Sequence, residues 1–241
     1  LIMHPDSQDD LDISFYSHNY FPYPGRKDLH GMTIPIFHQT TGQMDVQIAF
    51  SRDGLIWYRP ERKAAITLGP PGSGEESMIG TWLGDVMELP DGNWGVGYNG
   101  HSILHNIKHG FEESLFPQQQ PAKMGWALWR PHRFCGIEAD VEGRFTIPTI
   151  YRRHNELRLN YRCKPGGWIS VELLRMVPSM FHGDVEPLPG FTFEECDRLR
   201  LTGDHAQRRV TWQGNDDISS IGDMVAIRIK MFQAKLFAYQ V

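Results

Sequence analysis

The sequence predicts an all-β fold, and three observations support this. Apolar and polar residues alternate in several short segments, most clearly from Val225 to Met231. Turn-forming pairs such as Asp53-Gly54 and Asp91-Gly92 separate these segments, and the chain contains 24 glycines and 16 prolines. Few windows carry apolar residues at helical spacing. Strands joined by tight turns are therefore expected through most of the chain.

The spacing of the strands divides the chain into two parts. Residues 11–67 and 77–161 each contain several short strands with hairpin turns, and a propeller blade of four antiparallel strands takes about 40–50 residues. Toward the end of the chain the strands lengthen and are interrupted by an excursion over residues 176–196, as in Greek-key sandwiches. We therefore expect a partial β-propeller of about two blades over residues 1–161, followed by a β-sandwich over residues 162–241.

Composition and charge exclude several classes of protein. Of the 241 residues, 40% are hydrophobic and 22% charged, which is enough apolar material for a folded core. A net charge of -5 argues against a nucleic-acid partner. No apolar run approaches the roughly 18–20 residues of a membrane span, and the first residues lack the pattern of a signal peptide. We expect neither a nucleic-acid nor a membrane partner, and the localisation stays open.

The sequence carries no motif for a cofactor. It contains no P-loop, no GxGxxG before a helix, no GxSxG and no HExxH. The three cysteines are widely spaced, without a CxxC pair. His101, His105 and His109 recur every four residues, but glycines bracket the run, so surface histidines in a loop are expected rather than metal ligands. We expect no cofactor and no metal.

Glu75 and Glu76 are the predicted catalytic residues. The glycine-rich loop 69–74 delivers both carboxylates to the start of a strand, and the first strand of a propeller blade lines the central channel. A glycosidase uses one carboxyl group as general acid and a second as base or nucleophile. A solvated acidic loop explains the pair equally well. Asp53 is a weaker third candidate, since an Asp-Gly hairpin turn covered by Trp57 accounts for it.

Five residues are predicted to bind substrate. The segment 15–24 combines aromatic rings, which stack on sugar faces, with amide and imidazole groups that bond hydroxyls. A second aromatic and basic segment, 126–134, offers a guanidinium for a carboxylate or a hydroxyl. An aromatic packing cluster and an exposed strand face are the structural alternatives. The candidates are His18, Asn19, Tyr20, His101 and Arg130.

Residues 44–60 resemble a blade segment of five-bladed propeller proteins related to glycoside hydrolase families 32 and 43. In those proteins a strand ends in Ser-Arg-Asp-Gly and an aromatic residue follows, as Trp57 does here. Segments between residues 157 and 239 resemble the β-sandwich that follows the propeller in the same proteins. The resemblance implies a glycoside hydrolase with carboxylate acid-base catalysis and a carbohydrate substrate. A non-catalytic carbohydrate-binding or assembly module, or a hydrolase of another bond, are the alternatives.

The chain departs from that family in length. A five-bladed propeller needs about 200–250 residues at this blade size, whereas about 160 precede the expected sandwich. The Asn-Asp-Pro motif of family 32 is also absent. Two blades leave open strand edges, which favour association. A homo-oligomer is therefore expected.

Overall fold

The computed structural model describes residues 2–105, 122–177 and 184–241, with the side chains of residues 82–84 outside this description. The described residues form thirteen strands and two 3-10 turns. The predicted all-β fold is therefore confirmed. Among these residues, no helix is both long and apolar enough to cross a membrane.

Unit 1, Leu1–Phe134, contains a sheet of seven strands in the order β1-β3-β4-β5-β6-β7, with β2 also paired to β3. Neighbouring strands run antiparallel, except that β4 and β5 meet in parallel at Met44 and Met78. The sheet thus consists of two antiparallel groups joined at that pairing. The bounds are β1 (Ile13–Phe15), β2 (Asn19–Pro22), β3 (His30–His38), β4 (Met44–Ser51), β5 (Met78–Glu88), β6 (Trp94–His101) and β7 (Lys123–Trp129).

An apolar cluster holds the two groups of unit 1 together. Phe21 of β2 and Ile48 of β4 pack with Trp94 and Val96 of β6, and Phe134 completes the cluster. Each large apolar side chain contributes roughly 1.5–3 kcal/mol when it is fully buried. Because side chains alternate along a strand, this cluster assigns one face of β6 to the core.

The N-terminal segment is tied to unit 1 by ion pairs. The side chains of Arg59 and Asp9 pair with each other and are almost fully buried. Arg59 also donates to Gln47 Oε1 at 3.0 Å, so its charge is satisfied inside the fold. Arg62 Nη2 donates to Asp6 Oδ2 at 2.7 Å in a more exposed pair. These contacts place residues 6–9 against the segment that follows β4.

Unit 2, Cys135–Val241, contains a second sheet, of six strands. Two long strands, β10 and β13, pair with each other along most of their length. Strands β11 and β12 pair with β10, and strands β8 and β9 pair with β13. The bounds are β8 (Ile137–Ala139), β9 (Gly143–Tyr151), β10 (Arg158–Met176), β11 (Val185–Pro187), β12 (Asp204–Arg209) and β13 (Met224–Gln240).

Alternation along β10 and β13 builds the core of unit 2. The predicted period-two pattern of residues 225–231 is confirmed, because Ile227 and Ile229 are fully buried while Arg228 and Lys230 lie on the opposite face. Trp212 is also buried and donates from Nε1 to the Val171 carbonyl at 2.9 Å. The apolar face of the sheet therefore packs on one core, and its polar face lies away from it.

The chain passes from unit 1 to unit 2 between residues 134 and 135, whereas the sequence predicts the boundary between residues 161 and 162. The predicted boundary falls inside β10, which runs continuously from Arg158 to Met176. The difference arises because β8 and β9 pair with β13, close to the end of the chain. Because β8 and β9 pair with a strand near the end of the chain, residues 135–161 belong to unit 2.

Candidate functional site

Glu75, the first predicted catalytic carboxylate, lies against β6. Its Oε2 accepts a hydrogen bond from the Tyr98 hydroxyl at 3.0 Å. Its side chain also lies over Gly100, where an added Cβ would come within 2.5 Å of Glu75 Cγ. Burial and the contact with Glu75 raise the pKa of Tyr98, so the phenol keeps its proton and donates it to this bond. Glu75 is thus held in place by β6.

Glu76 makes a separate set of contacts from its neighbour Glu75. Its Oε2 accepts a hydrogen bond from the Gly74 backbone N–H at 2.6 Å. The pKa of Glu76 is lowered. Burial acts in the upward direction, but hydrogen bonds from the backbone amides of Glu76 and Gly74, among others, have the larger combined effect. A carboxyl group held in its ionised form is a poor proton donor at neutral pH. Glu76 therefore acts as a cap within the glycine-rich loop.

Asp53 lies in the hairpin turn that follows β4. Its Oδ1 accepts hydrogen bonds from the backbone N–H groups of Leu55 and Ile56, both at 2.8 Å. The bond from Ile56, followed by those from Leu55 and Ser51, lowers the pKa of Asp53. Gly54 takes a φ of 73°, which the turn requires. These contacts give the Asp53 carboxylate a structural task in the turn.

The predicted binding residues in β2, Asn19 and Tyr20, point to different sides of that strand. Asn19 Nδ2 donates to the Thr81 hydroxyl at 3.4 Å, and Thr81 in turn bonds the buried Thr33 at 2.7 Å. Tyr20 is half exposed, and its hydroxyl lies 3.0 Å from His30 Nδ1. His18 is exposed just before the strand. Asn19 is thus directed inward and Tyr20 outward.

His101 and Glu75 lie on opposite faces of β6. Glu75 packs over Gly100, and the next residue of a strand points to the other face. His101 Nε2 lies 2.7 Å from Asn99 Nδ2, two residues earlier on the same face. The predicted catalytic residue and the predicted binding residue are therefore separated by the sheet itself.

The face of β6 that carries His101 continues onto β7. Gly95, Gly97 and Asn99 pair with Leu128, Trp126 and Met124, and antiparallel partners share a face. The β7 side chains are about half exposed or more, and Met124 is 74% exposed. We call this surface the open face; its members are Gly95, Gly97, Asn99, His101, Met124, Trp126 and Leu128.

Trp126 forms a flat platform on the open face. An added Cβ on Gly95 would lie 2.9 Å from Cε3 of Trp126, so the indole rests directly on the glycine backbone. Trp126 is nevertheless 49% exposed. A ring supported from below and open above can stack on an apolar ligand surface. The Asn99 amide and the His101 imidazole on the same face can donate and accept hydrogen bonds.

Arg130 and the histidine run complete the set of sequence candidates. Arg130 follows β7 directly and is exposed. His105 lies in ring contact with Tyr16 and Phe37, whereas His109 lies outside the described residues. In the part of the chain that the structure describes, no group of three or more His, Cys, Asp or Glu residues is arranged to hold a metal ion.

Trp126 was missed as a binding candidate by reasoning from the sequence. The available signal is the alternation of Gly95, Gly97 and Asn99, which leaves one face of β6 largely bare. The partner of that bare face cannot be identified without the register of β7.

Comparison of this chain with models of known protein families, with characterised proteins and with solved structures finds no match.

Proposed function

We propose that this protein binds a carbohydrate on the open face, without cleaving it there. The observation that carries the proposal is the half-exposed Trp126 indole lying over Gly95, on the same face of β6 and β7 that carries Asn99 and His101 further along the strand. The apolar C–H face of a sugar ring stacks on the indole. The Asn99 amide and the His101 imidazole, further along the face, exchange hydrogen bonds with the hydroxyls of the next sugars of an oligosaccharide.

The glycine backbone beneath the indole makes the platform rigid. Gly95 has no side chain that would tilt the ring, and Leu89 also approaches Gly95. A binding group that is already ordered loses little conformational entropy when the ligand arrives. The exposed Met124 and Leu128 extend the apolar surface beyond one ring, so an oligosaccharide fits this face better than a single sugar.

Binding is favoured over hydrolysis by the state of the predicted carboxylates. Glu76 and Asp53 accept hydrogen bonds from backbone amides, and their pKa values are lowered. General acid catalysis calls for the reverse, a carboxyl group whose pKa is raised toward neutrality. Glu75 lies on the face of β6 opposite the open face. None of the seven residues that define the open face is a carboxylate, and for this reason we propose binding there and not cleavage.

Hydrolysis remains a second candidate because of the contact between Glu75 and Tyr98. Glu75 Oε2 accepts a hydrogen bond from the Tyr98 hydroxyl at 3.0 Å, and a positioned carboxyl group next to a hydroxyl donor is a component of acid-base catalysis. Hydrolysis of a panel of aryl glycosides by the protein and its Glu75→Gln variant tests this candidate. Release of the aryl group that Glu75→Gln abolishes supports it, and absence of release from every member excludes it for those substrates.

We further propose that the architecture is a partial propeller followed by a sandwich, as in the family 32 and 43 relatives. In unit 1, Phe50 pairs with Tyr58 and Val46 with Ile66, which adds an outer segment to the group of β1 to β4. The group of β1 to β4 packs on the group of β5 to β7 through Phe21 and Trp94, as adjacent propeller blades pack on each other. In unit 2, the polar and apolar faces of β10 and β13 suit a sandwich layer.

A homo-oligomer is part of this proposal. Strand β7 lies at one end of the described sheet of unit 1, and an end strand offers its unpaired edge to another strand. Sedimentation velocity at several protein concentrations tests it. A mass that rises to a multiple of 27.7 kDa supports association, and a monomer at all concentrations contradicts it.

Titration of oligosaccharides into the protein tests the binding proposal. We expect Trp126→Ala to weaken binding by at least about tenfold, a loss of about 1.4 kcal/mol. Tyr58→Ala is the matched control, because Tyr58 is an exposed aromatic residue of unit 1 outside the open face. Unchanged binding in Trp126→Ala, or no binding by any oligosaccharide of a broad panel, would overturn the proposal.

A further inference from the structure

Unit 2 carries an open cleft with a volume of about 620 Å³ on the polar face of β10 and β13. Trp168 and Ser170 of β10 and Lys230 of β13 form its floor, and residues 193–200 form much of its wall. The volume falls within the range of about 300–1,000 Å³ typical of small-molecule sites. The residues that line the cleft all belong to unit 2, whereas the open face is built from residues of unit 1.

Two cations of the cleft are held over aromatic rings. The Arg198 guanidinium lies 4.9 Å from the centroid of Trp168, and Lys230 Nζ lies 5.3 Å from that of Phe193. Such contacts hold the long side chains in defined positions while the N–H groups at their ends can still bond a ligand. Arg200 adds a third positive charge to the lining, whereas Lys230 Nζ also lies 3.8 Å from Glu142 Oε1, so the two guanidinium groups are the main anion-binding groups. The cleft is therefore prepared for an anionic group.

The acidic residues of the cleft limit which anion fits. Asp197 Oδ2 accepts hydrogen bonds from the Thr211 hydroxyl at 2.6 Å and the Gly214 amide at 2.8 Å. Glu194 also lines the cleft and is exposed. Its negative charge opposes a densely charged ligand such as a polyphosphate, whereas its oxygens accept hydrogen bonds from hydroxyl groups. A ligand with isolated negative charges and many hydroxyls satisfies both kinds of residue.

We propose that this cleft binds an acidic oligosaccharide whose sugars carry carboxylates. The planar Arg198 fork matches a carboxylate with two parallel hydrogen bonds, and Lys230 and Arg200 add charge to the same side. The exposed Glu194 carboxylate bonds the sugar hydroxyls. The site goes beyond the function proposed for the open face, because it lies in the other unit and selects for charge.

Calorimetric titration with trigalacturonate and with neutral galactotriose tests this inference. We expect the full chain to bind trigalacturonate at least tenfold more tightly than galactotriose, with an affinity that falls as salt is added. Arg198→Gln is expected to lose at least tenfold in affinity for trigalacturonate. Arg198→Lys should lose severalfold, since a single amine replaces the fork. Arg175→Gln, which removes an exposed cation outside the cleft, should bind as the wild type does.

Three results would overturn the inference. They are equal binding of the two trisaccharides, binding of tripolyphosphate as tight as that of trigalacturonate, and full affinity in Arg198→Gln. If Arg198→Gln lowers the melting temperature, Arg200→Gln takes its place, and full affinity in that variant counts in the same way. Failure here is separable from failure at the open face, because Trp126→Ala changes a residue of unit 1 and leaves the cleft intact.

Discussion

The Trp126 indole lies directly on the backbone of Gly95, so close that an added Cβ would come within 2.9 Å of the ring. The two residues belong to neighbouring strands, and Gly95 pairs with Leu128, two residues beyond Trp126. The indole therefore leans along β7 instead of standing upright from it. Trp126 is nevertheless 49% exposed, so part of the indole stays open to solvent.

Substitution of Gly95 by alanine is expected to displace the indole. The new methyl group would lie 2.9 Å from Trp126 Cε3 and 3.1 Å from Leu89 Cδ1, so the half-exposed indole has to shift. We expect Gly95→Ala to weaken oligosaccharide binding severalfold and to lower stability by about 1–3 kcal/mol, as overpacking does. Titration and urea unfolding measure the two effects. Ala127→Gly is the control, because Ala127 lies on the packed face and its substitution tests stability without changing the Trp126 platform. Gly92→Ala is unsuitable as a control, because Gly92 has a positive φ. Full affinity in Gly95→Ala would mean that the tilt of the ring is irrelevant.

The bond between Tyr98 and Glu75 is expected to stabilise unit 1. Tyr98→Phe removes the donor that Glu75 Oε2 faces and leaves a partly buried carboxylate with one partner fewer. A hydrogen bond to a charged group of this kind contributes about 1–2 kcal/mol to the free energy of unfolding. Urea unfolding of the variant measures the loss. Tyr58→Phe, at an exposed ring, should change stability by less than about 0.5 kcal/mol. Equal stability of Tyr98→Phe and the wild type would contradict the structural role.

The pair of Asp6 and Arg62 makes stability depend on acid pH. The hydrogen bond from Arg62, helped by the Gln8 amide, lowers the pKa of Asp6 from 3.8 to about 2. A carboxyl group whose pKa is lowered in the folded state stabilises the fold fully when the pH is above the pKa of the unfolded state. This stabilisation is lost as the pH falls through the pKa of the folded state. We expect the urea midpoint of the wild type to exceed that of Asp6→Asn at neutral pH, and the gap to close between pH 3.8 and about 2. A gap that stays constant across that range would contradict the assignment.

Cys163 is expected to react slowly with alkylating reagents. Burial raises its pKa to about 11 from the ordinary 9.0, and the thiolate is the reactive form. At pH 8 the shift lowers the thiolate fraction by roughly 100-fold relative to an unperturbed cysteine. Mass spectrometry of the protein treated with iodoacetamide, folded and in urea, measures the rate at this position. Similar rates in the two states would contradict the burial of this thiol.

Local patterns in the sequence were sufficient where a single strand or turn decides the structure. The alternation of residues 225–231 predicts which side of β13 is buried, because a strand has a period of two whatever its partners. The Asp53-Gly54 turn is likewise determined by its own residues, whose side chain and backbone bond each other. Both features depend on neighbours in sequence alone.

Features that depend on distant pairing could not be predicted in the same way. The boundary between the units depends on β8 and β9 pairing with β13. The platform depends on which β7 residue lies beside Gly95, and a shift of one residue would send Trp126 to the packed face. Glu75 and His101 are both predicted site residues, yet they lie on opposite faces of β6, and which face each occupies depends on the contacts of that strand.

The most direct test of the central claim is the indole N–H resonance of Trp126 in a nitrogen-15 correlation spectrum, assigned by its loss in Trp126→Phe. On titration with an oligosaccharide that binds the protein, the account predicts that this resonance and the side-chain amide of Asn99 shift together and saturate at one affinity. If the ligand binds and saturates while both resonances stay in place, the carbohydrate lies elsewhere and the open face is not its site.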